Sequence, residues 1–221
     1  MKRRFQKKST NSVSIIGGAD GPTSIFIAGK NDKISWIEKI KRKRYQKKRA
    51  RIENRLEANP HTIEETIEYM KEKYQAEELS KESFAYTEQL RCLKESLILQ
   101  HKPELLGEWG EIPNPTDWEE DSLKEFFAKL EQRSKMAQEI PDYLLPMDFH
   151  IYKIEVPRMG EIQFEVEKNW EVFGGGYSGE KRGMKKLLEI VSDIYLYYGF
   201  SEDDKKNRTE RFSSLVTMLI S

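Results

Sequence analysis

The hydrophobic pattern of the chain is dominated by apolar residues that recur every three or four positions, which is typical of helices with one buried face. Six segments carry such a pattern, and they begin near Asp32, Thr62, Ser83, Thr116, Gly183 and Ser201. The clearest stripe lies in the last segment, at Phe212, Leu215, Val216, Leu219 and Ile220. Thr62 with Glu65 has the spacing of a capping box. The pattern therefore predicts a mainly helical body.

The apolar period changes to two between residues 149 and 173. Two runs alternate apolar and polar residues on either side of Pro157–Gly160, at Tyr152, Ile154 and Val156 and at Ile162, Phe164 and Val166. This alternation predicts an antiparallel β-hairpin, with 170–173 as an extension of it. The glycine-rich stretch Gly174–Gly179 then predicts a flexible link to the next helix. The expected fold class is α+β, a mainly helical body with one antiparallel hairpin, preceded by a basic N-terminal arm and helix.

The N-terminal region combines short β-branched runs with a cluster of turn-forming residues. Residues 13–29 place two such runs on either side of Gly17–Pro22, which predicts a hairpin or a loop, with a helix broken at Pro22 as the alternative. We therefore expect a flexible basic arm with a Gly/Asp/Pro turn over 1–31 and a basic helix over 32–58. An acidic α+β body is expected over 59–221.

The charge is divided unevenly along the chain, although 38 basic and 38 acidic residues cancel. Residues 1–51 contain 16 Lys and Arg and only three acidic residues, so the remaining residues contain 22 basic and 35 acidic ones. This division predicts a basic N-terminal part and an acidic body. The basic part is suited to a partner of opposite charge.

The candidate binding residues lie in the basic helix. They are Lys41, Arg42, Lys43, Arg44, Lys47, Lys48, Arg49 and Arg51. An anionic partner of such a helix is an acidic protein surface, a nucleic acid or an anionic membrane surface. Alternatively, the helix has a solvated basic face whose positive charge balances the acidic body of its own chain. The sequence leaves all four interpretations open.

No complete catalytic motif is present. Three widely separated histidines and the single cysteine, Cys92, have no metal-ligand spacing, so neither a metal site nor a cofactor is expected. Asp148 and His150, with Glu155 near them, are the residues that acid–base chemistry would use. The glycines before Lys181 resemble a phosphate loop only loosely, because the P-loop spacing is not kept. Enzymatic activity therefore stays uncertain, and a small enzyme of unknown reaction is one of the alternatives.

The location of the protein is constrained by its cysteine content and hydropathy. One cysteine cannot form an intramolecular disulfide, and the chain contains no run of 18 apolar residues. We expect a cytoplasmic protein without a transmembrane span, and peripheral membrane association is the alternative. The oligomeric state is left open.

One short segment resembles a known family. Residues 15–30 read IIGGADGPTSIFIAGK and closely resemble a segment of the β subunit of sodium-ion-translocating decarboxylases, over about 16 of the 221 residues. In that family the Asp of this segment is implicated in sodium passage, and the resemblance places Asp20 there, flanked by Gly18, Gly21 and Pro22. It implies, as an alternative function, an accessory or motif-sharing protein related to that subunit, with sodium transport and membrane association. The first expectation is a soluble interaction protein that contacts an anionic partner through its basic helix.

Overall fold

The computed structural model describes residues 11–18, 21–29, 36–115 and 119–220. These residues divide into two compact units. The first unit takes its residues from Trp36–Tyr86 and Met147–Ser221, and the second from Met1–Ser35 and Thr87–Pro146. In chain order the elements are β1 (Asn11–Gly18), β2 (Gly21–Gly29), α1 (Trp36–Arg55), α2 (Ile63–Tyr74), β3 (Glu77–Glu78), α3 (Phe84–His101), α4 (Glu120–Glu139), β4 (Phe149–Val156), β5 (Gly160–Glu167), β6 (Val172–Gly179), α5 (Met184–Tyr198), α6 (Glu202–Asn207) and α7 (Glu210–Ile220). The α+β class is as predicted.

The first unit contains a four-stranded antiparallel sheet in the order β3-β4-β5-β6. The predicted hairpin of β4 and β5 is confirmed, and its register runs without a shift from Phe149 opposite Glu167 to Val156 opposite Gly160. Two outer strands, β3 and β6, extend it. The prediction of a flexible link over Gly174–Gly179 is wrong, because these glycines belong to β6.

A close contact between neighbouring strands explains one of these glycines. Gly175 lies directly opposite Phe164 of β5, and Phe164 is fully buried. A Cβ atom on Gly175 would lie 2.5 Å from Cε1 of Phe164, closer than real contacts allow. The aromatic ring thus occupies the space above the strand that a side chain would fill. This cause is a tertiary contact, so the local sequence around the glycines does not indicate it.

The core of the first unit lies between the inner face of the sheet and the helices. Its largest fully buried side chains include Phe164, Ile194, Phe200, Phe212 and Met70. Helix α5 packs against β5, β6, α2 and α7, so it forms the centre of this core. The apolar stripes predicted for α5 and for the C-terminal segment are the faces that the fold buries.

The helix ends follow their capping residues. Thr62 and Glu65 form the predicted capping box, in which the Glu65 N–H donates to Thr62 Oγ1 at 3.1 Å and the Thr62 N–H to Glu65 Oε2 at 2.7 Å. Helix α5 ends before Gly199, also as predicted. The single helix predicted from Ser201 is instead two helices, because Arg208 adopts a positive φ of 52° between α6 and α7.

In the second unit, α3 continues from Thr87 and a 3₁₀ segment, Pro103–Gly110, precedes α4. Lys94 is buried in this unit, and its ammonium donates to the Ile140 carbonyl at 2.7 Å and to Asp142 Oδ1 at 2.9 Å. This cation at the C-terminal end of α4 offsets the negative end of the helix dipole. Helix α4 begins at Glu120; the predicted start at Thr116 lies outside the described residues.

Strands β1 and β2 pair antiparallel with each other, with a register shift between Ile16 and Gly17. The prediction of a hairpin over residues 13–29 is confirmed, and the alternative of a broken helix is wrong. Gly18 ends β1, while Gly21 and Pro22 begin β2. Asp20 lies outside the described residues.

Candidate functional site

The basic helix α1 is fixed to the first unit by its C-terminal part. Ile52 and the following Leu56 pack against the core, and α1 contacts α7. Lys48 donates a hydrogen bond from its ammonium to the backbone carbonyl of Ile220, the last residue of α7. Lys205 reaches back from α6 to the Leu56 carbonyl at 2.9 Å. One end of α1 is thus held by apolar packing and by hydrogen bonds to the ends of helices.

The N-terminal part of α1 is exposed. Of the eight predicted binding residues, seven are exposed and one is half-buried: Lys41, Arg42, Lys43, Arg44, Lys47, Lys48 and Arg51 are exposed, and Arg49 is half-buried. Trp36 at the start of the helix is 75% exposed. The structure therefore presents the predicted basic residues together, on one helix.

The positive charge surrounds the helix axis. Helix α1 contains ten basic residues and two acidic ones, Glu38 and Glu53. Because neighbouring residues in a helix are about 100° apart around the axis, the four consecutive cations at 41–44 cover the full circumference. Ile40 and Tyr45 are five positions apart, so they point to different sides. Along the described residues 41–48, no apolar face runs beside the cations.

Among the described side chains, the ion pairs of α1 within its unit all involve Glu53. This carboxylate contacts Arg49 in the same helix, with Nε and Oε1 2.7 Å apart, and Arg208 from outside it, with Nη2 and Oε2 3.5 Å apart. The hydrogen bond to Glu53 raises the pKa of Arg49 above its ordinary value, so Arg49 stays charged. Among the described residues of the first unit, no carboxylate outside α1 pairs with a cation of α1. No ion pair in this unit therefore supports the interpretation that α1 binds the acidic body of its own chain.

His150 is the most chemically distinctive residue outside α1. Its Nδ1 lies 2.6 Å from Oε1 of Glu78, and its Nε2 lies 2.9 Å from Oδ1 of Asp148. Burial raises the pKa of Asp148, but the hydrogen bond and charge of His150, together with Lys168, outweigh it and leave the pKa below its usual value. The imidazole thus connects the edge strand β3 to β4. Both of its nitrogens are engaged, which leaves neither of them open to a substrate.

Glu155, the third residue of the predicted acid–base group, is not part of this cluster. It lies five residues after His150 in the chain and pairs with Lys153, whose Nζ is 2.9 Å from Oε1 of Glu155. The structure therefore joins Asp148 and His150 but separates them from Glu155. Glu78, which completes the cluster, was missed by sequence reasoning because it lies 72 residues away in the chain.

A second polar cluster joins α2 to α5. Asp193 Oδ2 accepts hydrogen bonds from Tyr69 Oη at 2.5 Å, Tyr74 Oη at 2.7 Å and Lys73 Nζ at 2.9 Å. Tyr69 stacks on Tyr197 with ring centroids 3.9 Å apart. Burial and the hydrogen bond to Asp193 raise the pKa of Tyr74 to about 12. Since Tyr69 is shifted in the same direction, both hydroxyls stay protonated at neutral pH and act as donors, not as general bases.

Metal binding and membrane insertion are the remaining functions to consider for the described part of the chain. Within it, no group of three His, Cys, Asp or Glu side chains has the arrangement of a metal site. Cys92 is half-buried, and His61 stacks on Tyr197. Over the same residues, no helix is both long and apolar enough to cross a bilayer.

Comparisons with known proteins identify no relative of this chain. The chain matches no protein-family model, no curated protein and no solved structure.

Proposed function

We propose that this protein binds double-stranded DNA through the exposed N-terminal part of α1. The observation that carries the proposal is the placement of cations around the whole circumference of a helix whose described contacts with the first unit lie toward its other end. Each basic side chain that neutralises a phosphate releases a counterion, which supplies binding that does not depend on sequence.

The geometry of DNA favours this interpretation of α1. The major groove of B-form DNA is about 12 Å wide and admits a helix. A helix in that groove has phosphates on both of its sides, so cations are useful all around it. At about 1.5 Å per residue, the 12 residues from Trp36 to Lys47 extend roughly 18 Å, enough to cross the groove.

The other anionic partners fit this helix less well. A helix that lies in a membrane interface needs one continuous apolar face opposite its charged one. Over the described residues 41–48 of α1 such a face is absent, because Tyr45 is the one apolar side chain there and it lies on a different side from Ile40. An acidic protein surface contacts a helix from one side, so it would use only part of a charge that surrounds the axis.

Binding to a labelled duplex tests the proposal. The α1 quadruple variant, Lys41→Gln with Arg42→Gln, Lys43→Gln and Arg44→Gln, removes four exposed cations and keeps good helix formers. Its matched control replaces four exposed lysines elsewhere, at Lys124, Lys135, Lys185 and Lys186. Fluorescence anisotropy with a mixed-sequence DNA duplex at ~50 mM salt should show affinity reduced at least about tenfold in the α1 quadruple variant and by less than about threefold in the control.

Three further probes separate the partners. A duplex RNA should bind more weakly than DNA, because the A-form major groove is too narrow for a helix. Anionic vesicles and polyglutamate should bind more weakly still. Binding to the vesicles or to polyglutamate that is as strong as DNA binding, or stronger, would overturn the proposal. So would an equal loss of DNA affinity in the α1 quadruple variant and in its control.

A further inference from the structure

The two edges of the sheet differ in how they are protected. Strand β3 is two residues long, and both are glutamates. Strand β6 forms the other edge with eight residues, and among the described residues its only strand partner is β5. Short length and charge are the features that keep an edge strand from pairing with another chain, and β3 has both.

Strand β6 carries none of the features that protect an edge. It has no charged residue and no proline, and its pairing with β5 runs without a shift from Gly160 opposite Gly179 to Glu167 opposite Val172. The neighbouring strands β4 and β5 contain charged residues throughout their length. An unprotected strand of this length presents a row of backbone groups that another strand can pair with.

Gly176, near the middle of β6, lies on the opposite face of the sheet from Gly175. Phe164 leaves room only for a glycine at Gly175. At Gly176, by contrast, a Cβ atom would have no heavy atom within 4 Å, and the φ angle of Gly176 lies outside the positive region that favours glycine. The fold of the described residues therefore has no need for glycine at Gly176. A side chain can therefore be placed at the middle of β6 without a clash inside one copy.

We propose that β6 pairs antiparallel with β6 of a second copy of this chain, about a twofold axis at Gly176, so that the two four-stranded sheets become one continuous sheet. In this register Gly176 faces its own copy, and Gly175 faces Tyr177 of the second copy. A twofold axis brings each central charge close to an identical charge, and a strand with no charge avoids that repulsion.

The charges that flank β6 agree with this register. The first charged residue before the strand is Glu171. After the strand come Glu180, which pairs with Arg182, and then Lys181, which lies at the equal distance on the other side of Gly176. The axis therefore brings Glu171 of one copy near Lys181 of the other, twice. Both residues are exposed, and among the described residues neither forms an ion pair. Pairing centred on Gly175 would instead place Glu171 opposite Gly179, which has no charge to pair with it.

The molecular mass in solution tests the proposal. Sedimentation equilibrium of the full chain between ~1 and ~200 µM should show a reversible monomer–dimer equilibrium that ends at twice 26.1 kDa. Gly176→Lys should weaken dimerisation at least about tenfold, because it brings two like charges together on the axis. Gly176→Ser adds a small uncharged side chain in the same open space and should change it by less than about threefold. Circular dichroism and the thermal midpoint of each variant show that the monomer still folds.

A charge swap tests the register. Glu171→Lys and Lys181→Glu should each weaken the dimer, and the double variant should restore it to within about twofold of the original chain. A monomer at all concentrations, or an open-ended series of larger masses, overturns the proposal. So does a dimer that tolerates Gly176→Lys or whose charge-swapped double variant is no tighter than the single ones.

Discussion

The ammonium of Lys48 donates a hydrogen bond to the backbone carbonyl of Ile220, the last residue of α7. The final carbonyls of a helix have no partner within it, and a cation there also offsets the negative end of the helix dipole. Lys48 therefore holds α1 in place, while the neighbouring Lys47 is exposed and makes no ion pair among the described residues. Adjacent lysines of one helix thus have different roles.

Replacement of these two lysines separates anchoring from binding. Lys48→Gln should lower the free energy of unfolding by about 0.5–1.5 kcal/mol, because it removes a charged donor from the end of α7. Lys47→Gln should change it by less than about 0.5 kcal/mol and should weaken DNA binding more than Lys48→Gln does. Urea unfolding and anisotropy measure the two effects, and equal losses of stability would contradict the assigned roles.

The glycines of β6 should differ in their tolerance of a methyl group. Gly175→Ala places a Cβ atom 2.5 Å from Cε1 of Phe164 and should lower the free energy of unfolding by about 1–3 kcal/mol. Gly176→Ala meets open space and should change it by less than about 0.5 kcal/mol. Urea unfolding of both variants at one protein concentration provides the comparison. If Gly176→Ala were the more damaging change, the described position of Phe164 would be wrong.

Asp193 should make a pH-dependent contribution to stability. Burial raises its pKa, but hydrogen bonds from Tyr69, Lys73 and Tyr74 outweigh burial and leave the pKa below the ordinary 3.8. Because the folded pKa is lower than the unfolded one, the stabilisation is fully present above the unfolded pKa and is lost as the pH falls through the folded pKa.

The variant Asp193→Asn measures that contribution. At pH 7 it should lower the free energy of unfolding by about 1–3 kcal/mol, the range for hydrogen bonds to a charged group. The difference from the original chain should stay constant down to about pH 4 and shrink below it. Urea unfolding at a series of pH values gives this difference, and one that stays constant down to pH 2 would contradict the assignment.

Arg211 connects the C-terminal end of α5 to the segment before α2. Its guanidinium donates to the carbonyls of Gly199 at 2.9 Å, His61 at 2.7 Å and Tyr198, and it lies 3.7 Å from the centre of the Tyr198 ring. Arg211→Lys keeps the charge but loses the planar fork, so it should lower the free energy of unfolding by about 1–3 kcal/mol.

Arg208 provides the matched control for that substitution. It is exposed, and its contact with Glu53 is long, at 3.5 Å. Arg208→Lys should therefore change the free energy of unfolding by less than about 0.5 kcal/mol. Thermal or urea unfolding compares the two variants, and a similar loss in both would mean that Arg211 acts only as a charge.

The elements that sequence reasoning predicted correctly have local causes. The capping box of Thr62 and Glu65 and the end of α5 before Gly199 are encoded within a few residues, and the structure keeps both. Alternation with period two likewise predicted β4 and β5. The exposed cations of α1 could also be identified, because an uninterrupted run of charge cannot be buried.

The features that sequence reasoning missed depend on residues far apart in the chain. Strand β6 contains three consecutive glycines, which local signals assign to a loop, yet the buried ring of Phe164 requires one of them. Asp193 accepts hydrogen bonds from a helix more than 100 residues earlier in the chain, so no local spacing indicates the cluster. Glu78 meets His150 only through the pairing of β3 with β4.

The salt dependence of DNA binding tests the central claim most directly. Dissociation constants should be measured for the original chain, the α1 quadruple variant and its matched control at several salt concentrations between ~50 and ~200 mM. Each phosphate contact contributes roughly −0.9 to the slope of the logarithm of the association constant, the reciprocal of Kd, against log salt, so five to seven contacts of α1 predict a slope of roughly −4.5 to −6.3. The slope should become shallower by about 3 to 4 in the α1 quadruple variant and stay unchanged in the control. A slope near zero for the original chain, or the same slope in both variants, would contradict a DNA-binding role for α1.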